Sequence, residues 1–239
     1  MNAPDYAAPG TKRLLLWDID ATLITTGGAG YTALKQVVQD RFGVRDEFHD
    51  IEIAGRTDRG IAANILRKYG LEPSERNIAE FLGEYLRGLE ELLPQTSGRV
   101  LPGIAEILAR LHDRSDYVLA LLTGNLRRGA ELKLRHYGLW DYFEFGAFAD
   151  DHHDRNELGA FARKRAREKH GAEFAVAQID VIGDTGHDIA CGRIFGARTI
   201  AVATGSWTRA QLAAEAPDFL FDNFARVDEV MRTLGWAAD

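Results

Sequence analysis

Six short apolar runs recur along this chain, and they constrain its fold more than any other feature. They are Leu14–Trp17, Tyr117–Leu122, Phe145–Phe148, Ile179–Ile182, Thr199–Val202 and Phe219–Phe221. Continuous apolar runs of this length read as strands buried on both faces. The stretches between the later runs carry helical patterns, at Ile104–His112, Arg127–Tyr137, Leu158–His170 and Ile189–Phe195. Strands alternating with helices predict a doubly wound α/β fold, with helices on both faces of a parallel sheet. No internal repeat or low-complexity tract interrupts the pattern.

The first interval breaks the rhythm. About 100 residues separate Trp17 from Tyr117, and most of them read as helix, at Tyr31–Phe42, Arg59–Tyr69 and Ile78–Leu93. A crossover between parallel strands needs one helix. The excess predicts a helical cap inserted at residues 28–98, with residues 1–27 and 99–239 forming the core. An insert after the first strand emerges at the carboxyl end of the sheet, where open α/β folds bind ligands. A lid over that end follows. Gly27-Gly28-Ala29-Gly30 lacks the dinucleotide-binding spacing and reads as the hinge into the insert.

Composition narrows the partners. A formal net charge of −7 argues against a nucleic-acid partner, which needs a basic face. It leaves room for a small anionic substrate held by a local cation. Cys191 is the single cysteine, so no intramolecular disulfide forms, and a reducing, cytoplasmic setting is expected. No apolar run reaches the roughly 18 residues needed to cross a membrane. The polar stretch Met1–Thr11 lacks an apolar signal core and reads as a loose leader.

Chemistry concentrates where strands end. Leu14-Leu15-Leu16-Trp17 runs into Asp18-Ile19-Asp20-Ala21-Thr22, two carboxylates spaced by two. At a strand end that spacing presents both to one cavity. One can serve as a nucleophile while the other donates and accepts protons. A simple turn is the plainer reading of this piece alone. A second run ends in Thr123-Gly124-Asn125. A hydroxyl and free N–H groups there suit a phosphate oxygen, and equally an N-cap. A third run ends in Gly183-Asp184-Thr185-Gly186-His187-Asp188. Two carboxylates four apart suit magnesium, which takes one or two carboxylates plus phosphate and water. Three such strand ends in one chain outline a magnesium site with a nucleophile.

In this order the motifs resemble those of the haloacid dehalogenase superfamily. Asp18-x-Asp20-x-Thr22 is similar to its first motif, Thr123 sits in its second, and Gly183-Asp184-x-x-x-Asp188 is similar to its fourth. The insert resembles the cap of the phosphoglycolate-phosphatase-like and β-phosphoglucomutase-like branch. The likeness spans about Arg13 to Leu234. It implies a Rossmann-like core with strands one, two and four side by side. It also implies roles. Asp18 would attack phosphorus and bind Mg2+. Asp20 would protonate the leaving oxygen and then activate water, its backbone carbonyl meeting the metal. Thr123 would hold a phosphoryl oxygen, beside Gly124 and Asn125. Asp184 would ligate magnesium, and Asp188 would ligate or support it. Arg155, ahead of a helix, holds the place of the basic third-motif residue. Lys164 and Lys169 compete with it from a basic helix that otherwise reads as a solvated face.

Two departures stand out. Ala21 replaces a common glycine, so the turn must keep φ negative there or take on strain. Gly186 stands where proline is frequent, a harmless change. Gly55-Arg56-Thr57-Asp58 resembles the cap's substrate-facing loop, where Arg56 and Thr57 would meet substrate; an N-cap by Thr57 or Asp58 fits equally. His152-His153 reads as a solvated pair, and Cys191 and Trp17 as packed. The expected activity is that of a Mg2+-dependent phosphatase acting on a small phosphorylated metabolite, as a monomer or homodimer. A sugar phosphomutase shares every motif. A dehalogenase or phosphonatase would lack Asp20, and a non-catalytic phospho-ligand binder would not need the full carboxylate set.

Overall fold

The structure is a computed structural model, and it describes residues 12–171 and 173–236. The expected leader lies outside these residues. Strand β1 (Arg13–Trp17) leads through a short strand β2 (Ile24–Thr25) into helices α1 (Ala29–Phe42), α2 (Asp58–Lys68) and α3 (Glu75–Leu92). The chain returns through β3 (Arg99–Val100) to α4 (Ile104–His112), β4 (Tyr117–Leu122), α5 (Arg127–His136), β5 (Phe145–Ala147) and α6 (Arg155–His170). It closes with β6 (Ile179–Gly183), α7 (Gly186–Ile194), β7 (Arg198–Val202), α8 (Arg209–Ala214), β8 (Phe219–Phe221) and α9 (Val227–Leu234).

Six strands form one sheet in the order β5-β4-β1-β6-β7-β8, every pair parallel. The predicted α/β sheet is therefore present, and β4, β1 and β6 lie side by side. Alternation along β1 explains its two buried faces. Leu15 and Trp17 pack with Ile104, Leu108 and Trp236 on one side; Leu14 and Leu16 pack with Leu158, Ala162 and Cys191 on the other. Burying each such large side chain contributes about 1.5–3 kcal/mol. Trp17 lies 5.8 Å from Trp236 and 6.2 Å from Phe224, ring centre to ring centre. It is core, as its sequence setting suggested.

Helices α1–α3 share a separate apolar cluster, built on Val38, Ile65, Leu66, Phe81 and Leu89. Phe42 stacks on Tyr69 at 4.6 Å inside it. Local chemistry sets the helix ends. Ser74 caps α3 by accepting the Asn77 N–H, and α1 stops at Gly43, where φ is +69°. The two chain passages between this cluster and the sheet pair as an antiparallel ribbon, Ile24 with Val100 and Thr25 with Arg99. That ribbon was not read from the sequence, because two-residue strands leave no periodic trace. Gly27, at φ +63°, and Gly98 cross here so closely that a Cβ on Gly98 would overlap Tyr137 Oη and Thr25 O.

At the amino edge of the sheet, buried Asp180 accepts hydrogen bonds from Arg13 (2.8 Å), Arg198 (2.6 Å) and the Trp236 indole (2.9 Å). The start of β1 and the segment after α9 thus meet on one carboxylate. No described helix is long and apolar enough to cross a membrane.

Candidate active site

The carboxyl ends of the three central strands carry the predicted residues into one place. Asp18 follows β1, Thr123 follows β4, and Asp184 follows β6. A single irregular turn comes after Asp18: the N–H groups of Leu23 and Ile24 both donate to Ile19 O, at 2.9 and 3.2 Å. This turn swings Asp20 back over the same cavity. Ala21 sits within it at φ +58°, so the turn keeps a left-handed residue and the alanine carries the strain. Of the two alternatives the sequence left open, negative φ or strain, the turn takes the second.

One carboxylate oxygen each from Asp18, Asp184 and Asp188 fall within 4.8 Å of one another, and all three residues are buried. Arg155 is the cation among them. Its Nη2 lies 3.0 Å from Asp18 Oδ1 and also bonds Asp188 Oδ1. Arg155 is the first residue of α6, capped by Asp154, rather than a residue ahead of the helix. Lys164 and Lys169 lie further along α6, paired with Glu168 and Glu144, away from the carboxylates. Asp188 is fully engaged: its Oδ2 accepts the Thr185 N–H at 3.0 Å and the Thr185 hydroxyl at 2.7 Å. Among the described residues, Asp184 Oδ1 has the Thr22 hydroxyl alone, at 3.5 Å.

Burial pushes Asp18 up to about 6; Arg155 opposes this, while Asp188 and Asp20 add to it. Burial, then Asp188 and Asp18, push Asp184 up to about 9. One guanidinium offsets one of three carboxylates, so the cluster carries an excess of negative charge in a water-poor place. That donor set, all carboxylate oxygen with its protons easily displaced by a cation, fits a hard divalent ion such as Mg2+. Gly205 closes against it, since a Cβ there would overlap Asp184 Oδ2.

Asp20 is turned away from this cluster. Its Oδ2 accepts from Asn125 Nδ2 at 2.9 Å and from Lys133 Nζ at 2.6 Å. Asn125 Nδ2 also reaches Thr123 Oγ1 at 2.9 Å, and Thr123 helps to hold the Asp18 carboxyl down. Thr123 and Asn125 do not cap α5. The Leu126 N–H at its start is taken by Asp58 Oδ2 at 2.7 Å, from α2. Asp58 N–H in turn donates to Gly124 O at 2.7 Å, and Gly124 has no room for a Cβ against Arg56 O.

Of the loop residues, Thr57 takes the plain role: it caps α2 and donates to His153 O. Arg56 pairs with Glu52 at 2.5 Å and lines the cavity of about 510 Å3 that also contains Asp18, Asp20 and Lys133. His152 and His153 stack at 4.5 Å outside the carboxylate cluster. Cys191 is buried, donates to Arg155 O, and burial pushes its thiol up to about 11, which makes it inert packing.

Sequence reading missed Lys133 and Tyr85, which line the cavity, and took Asp58 for a cap of its own helix rather than the acceptor of the Leu126 N–H. Lys133 had a signal: it falls on the buried stripe of α5 with Gly129, Ala130 and Leu134, where a charged residue is out of pattern.

The chain belongs to the haloacid dehalogenase-like hydrolase family, whose model matches residues 15–193. Among individual relatives, it is 29% identical over 224 residues to a Dickeya dadantii (strain 3937) protein named "Probable phosphatase IndB", covering 90% of this chain and 92% of the other. Its fold is similar to that of CbbY from Rhodobacter sphaeroides, solved with phosphate (TM-score 0.73, 21% identity, 91% of this chain and 96% of that one). It is also similar to a predicted phosphoglycolate phosphatase from Haemophilus somnus 129pt (TM-score 0.72, 18% identity, 94% and 100%).

Proposed function

We propose that the protein is a Mg2+-dependent phosphatase that cleaves a small phosphorylated metabolite through an aspartyl-phosphate on Asp18. The observation that carries this reading is a buried Asp18 placed between Arg155 and Thr123, with Asp20 held in the same cavity.

Asp18 and Asp184 would hold the ion, with the Asp20 backbone carbonyl, while Asp188 orients Arg155. A bound Mg2+ supplies positive charge that lets an anionic carboxylate approach an anionic phosphate. In the first step an Asp18 oxygen bonds to phosphorus, the bond to the leaving oxygen breaks, and Asp20 gives that oxygen a proton. In the second, water bonds to phosphorus, Asp20 takes its proton, and the bond to Asp18 breaks. Thr123, the Gly124 N–H and Arg155 would bind the phosphoryl oxygens, where charge stabilisation dominates phosphoryl transfer. Residues 28–98 act as the cap, Arg56 meets the substrate from it, and closure excludes water. Cytoplasmic location and a monomeric or homodimeric state belong to the same reading; the lone buried cysteine supports the former.

The test is inorganic phosphate release from a panel of phosphorylated metabolites, with Mg2+ or with chelator. Asp18→Asn is expected to retain less than about a tenth of the rate, as befits loss of a nucleophile. Isomerised sugar phosphate in place of free phosphate would make the protein a mutase.

A further inference from the structure

Lys133 is a buried cation in the catalytic cavity, only 4% exposed, and it bonds none of the clustered carboxylates. Its ammonium donates to Asp20 Oδ2 and to Asn125 Oδ1, both at 2.6 Å. Asn125, with its oxygen taken, must turn its amide nitrogen to Asp20 and Thr123, as observed. Both donors on Asp20 therefore land on one oxygen, Oδ2. No described residue donates to Oδ1.

We infer that Lys133 is the positioning residue for proton transfer by Asp20: it pins Oδ2, directly and through Asn125, and leaves Oδ1 as the oxygen that exchanges protons. The inference rests on the phosphatase reading of the site and assigns a residue within it.

Stability gives no reason for the lysine. Burial opposes its charge, and Asp20, Tyr85 and Asp58 together hold its pKa above the usual value. A buried ion pair of this kind is weak evidence for stability, and an apolar side chain of similar size often packs as well. An ammonium has three donors and no acceptor, so it can bind two oxygens without competing for the proton that Asp20 moves. It also sits on α5, whose start is fixed by Asp58, so its reach to Asp20 is set by a rigid element.

The two steps separate the inference from a merely structural role. p-Nitrophenyl phosphate has a leaving group that departs as the anion, so the first step needs no proton from Asp20. The second step needs Asp20 to take a proton from water whatever the substrate. With Mg2+ and p-nitrophenyl phosphate, Lys133→Met is expected to keep the first-turnover burst of nitrophenolate. Steady-state phosphate release should fall about tenfold or more, the usual scale for losing general acid–base help. Phosphorylated Asp18 should then accumulate in the intact-protein mass, as in Asp20→Ala. KM should fall along with the steady-state rate, while kcat/KM, set by binding and the first step, stays within about threefold. Equal loss in both steps, no loss in either, or a raised KM with normal dephosphorylation would overturn the inference. If Lys133→Met loses its native melting transition, Lys133→Gln, which retains a donor, is read in the same way and should slow the second step less. Wild type without Mg2+-dependent turnover, or Asp20→Ala without phospho-enzyme, would overturn the phosphatase reading itself. A normal wild type and Asp20→Ala beside an unchanged Lys133→Met would overturn the Lys133 inference alone.

Discussion

The turn after Asp18, the proposed nucleophile, holds a non-glycine residue at φ +58°. A left-handed alanine costs about 1–2 kcal/mol, and glycine escapes that cost. Ala21→Gly is therefore expected to raise stability by about 1 kcal/mol after the extra freedom of the unfolded glycine is counted. A chemical denaturation midpoint that falls in the variant would contradict this. The residue is legible as a departure in the sequence, but the sign of its φ is not, since that follows from the three hydrogen bonds that close the turn on Ile19 O. Asp18, Thr123, Asp184 and Asp188 were legible because each sits at a strand end or in the turn and helix start that follow it, whereas the shared rim and the place of Arg155 came from the family resemblance. Lys133 was not, nor was the partner of Asp58, because these contacts depend on which face of α5 and α2 docks, and the partners lie 113 and 68 residues away.

Helices α2 and α5 meet end to end, and the contact is made largely by backbone groups. Asp58 takes the N–H of Leu126, the residue just ahead of α5, and gives its own N–H to Gly124 O. Burial pushes the Asp58 carboxyl up to about 6, with Lys133 opposing. Asp58→Ala leaves the Leu126 N–H without its acceptor and is expected to cost about 1 kcal/mol, as for loss of an N-cap. KM should rise with it, because α2 carries the loop that lines the cavity. Asp58→Asn keeps an acceptor oxygen and should fall closer to wild type; an Asn variant as damaged as the Ala variant would show that charge, not capping, matters here. The order of the central strands follows the family resemblance, and α1, α2 and α3 fall where helical patterns were read. Boundaries shifted by a few residues at most, as with α6 starting at Arg155. The β2–β3 ribbon escaped because strands of two residues leave no periodic trace, and their pairing joins segments far apart in the chain.

At the scale of the whole molecule, the buried carboxylate cluster links fold stability to metal and pH. Asp18 and Asp184 are raised from 3.8 to about 6 and about 9, so the metal-free folded protein binds more protons than the unfolded chain across that interval. Stability then falls as pH rises from about 4 towards 9, because the native state holds protons the unfolded state has lost. A cation at the cluster replaces those protons. Addition of Mg2+ should raise the melting temperature, and by more at pH 8.5 than at pH 5.5. A gain that is flat or shrinks with pH would contradict the assignment of these carboxylates to the metal. The same polarity has a practical side. Arg13 and Trp236 converge on Asp180 at one rim of the sheet, and the catalytic cavity opens at the other, five strand residues or about 16 Å further on. A support, tag or fused enzyme joined beside either residue would sit behind the catalyst, leaving its mouth turned outward to incoming substrate.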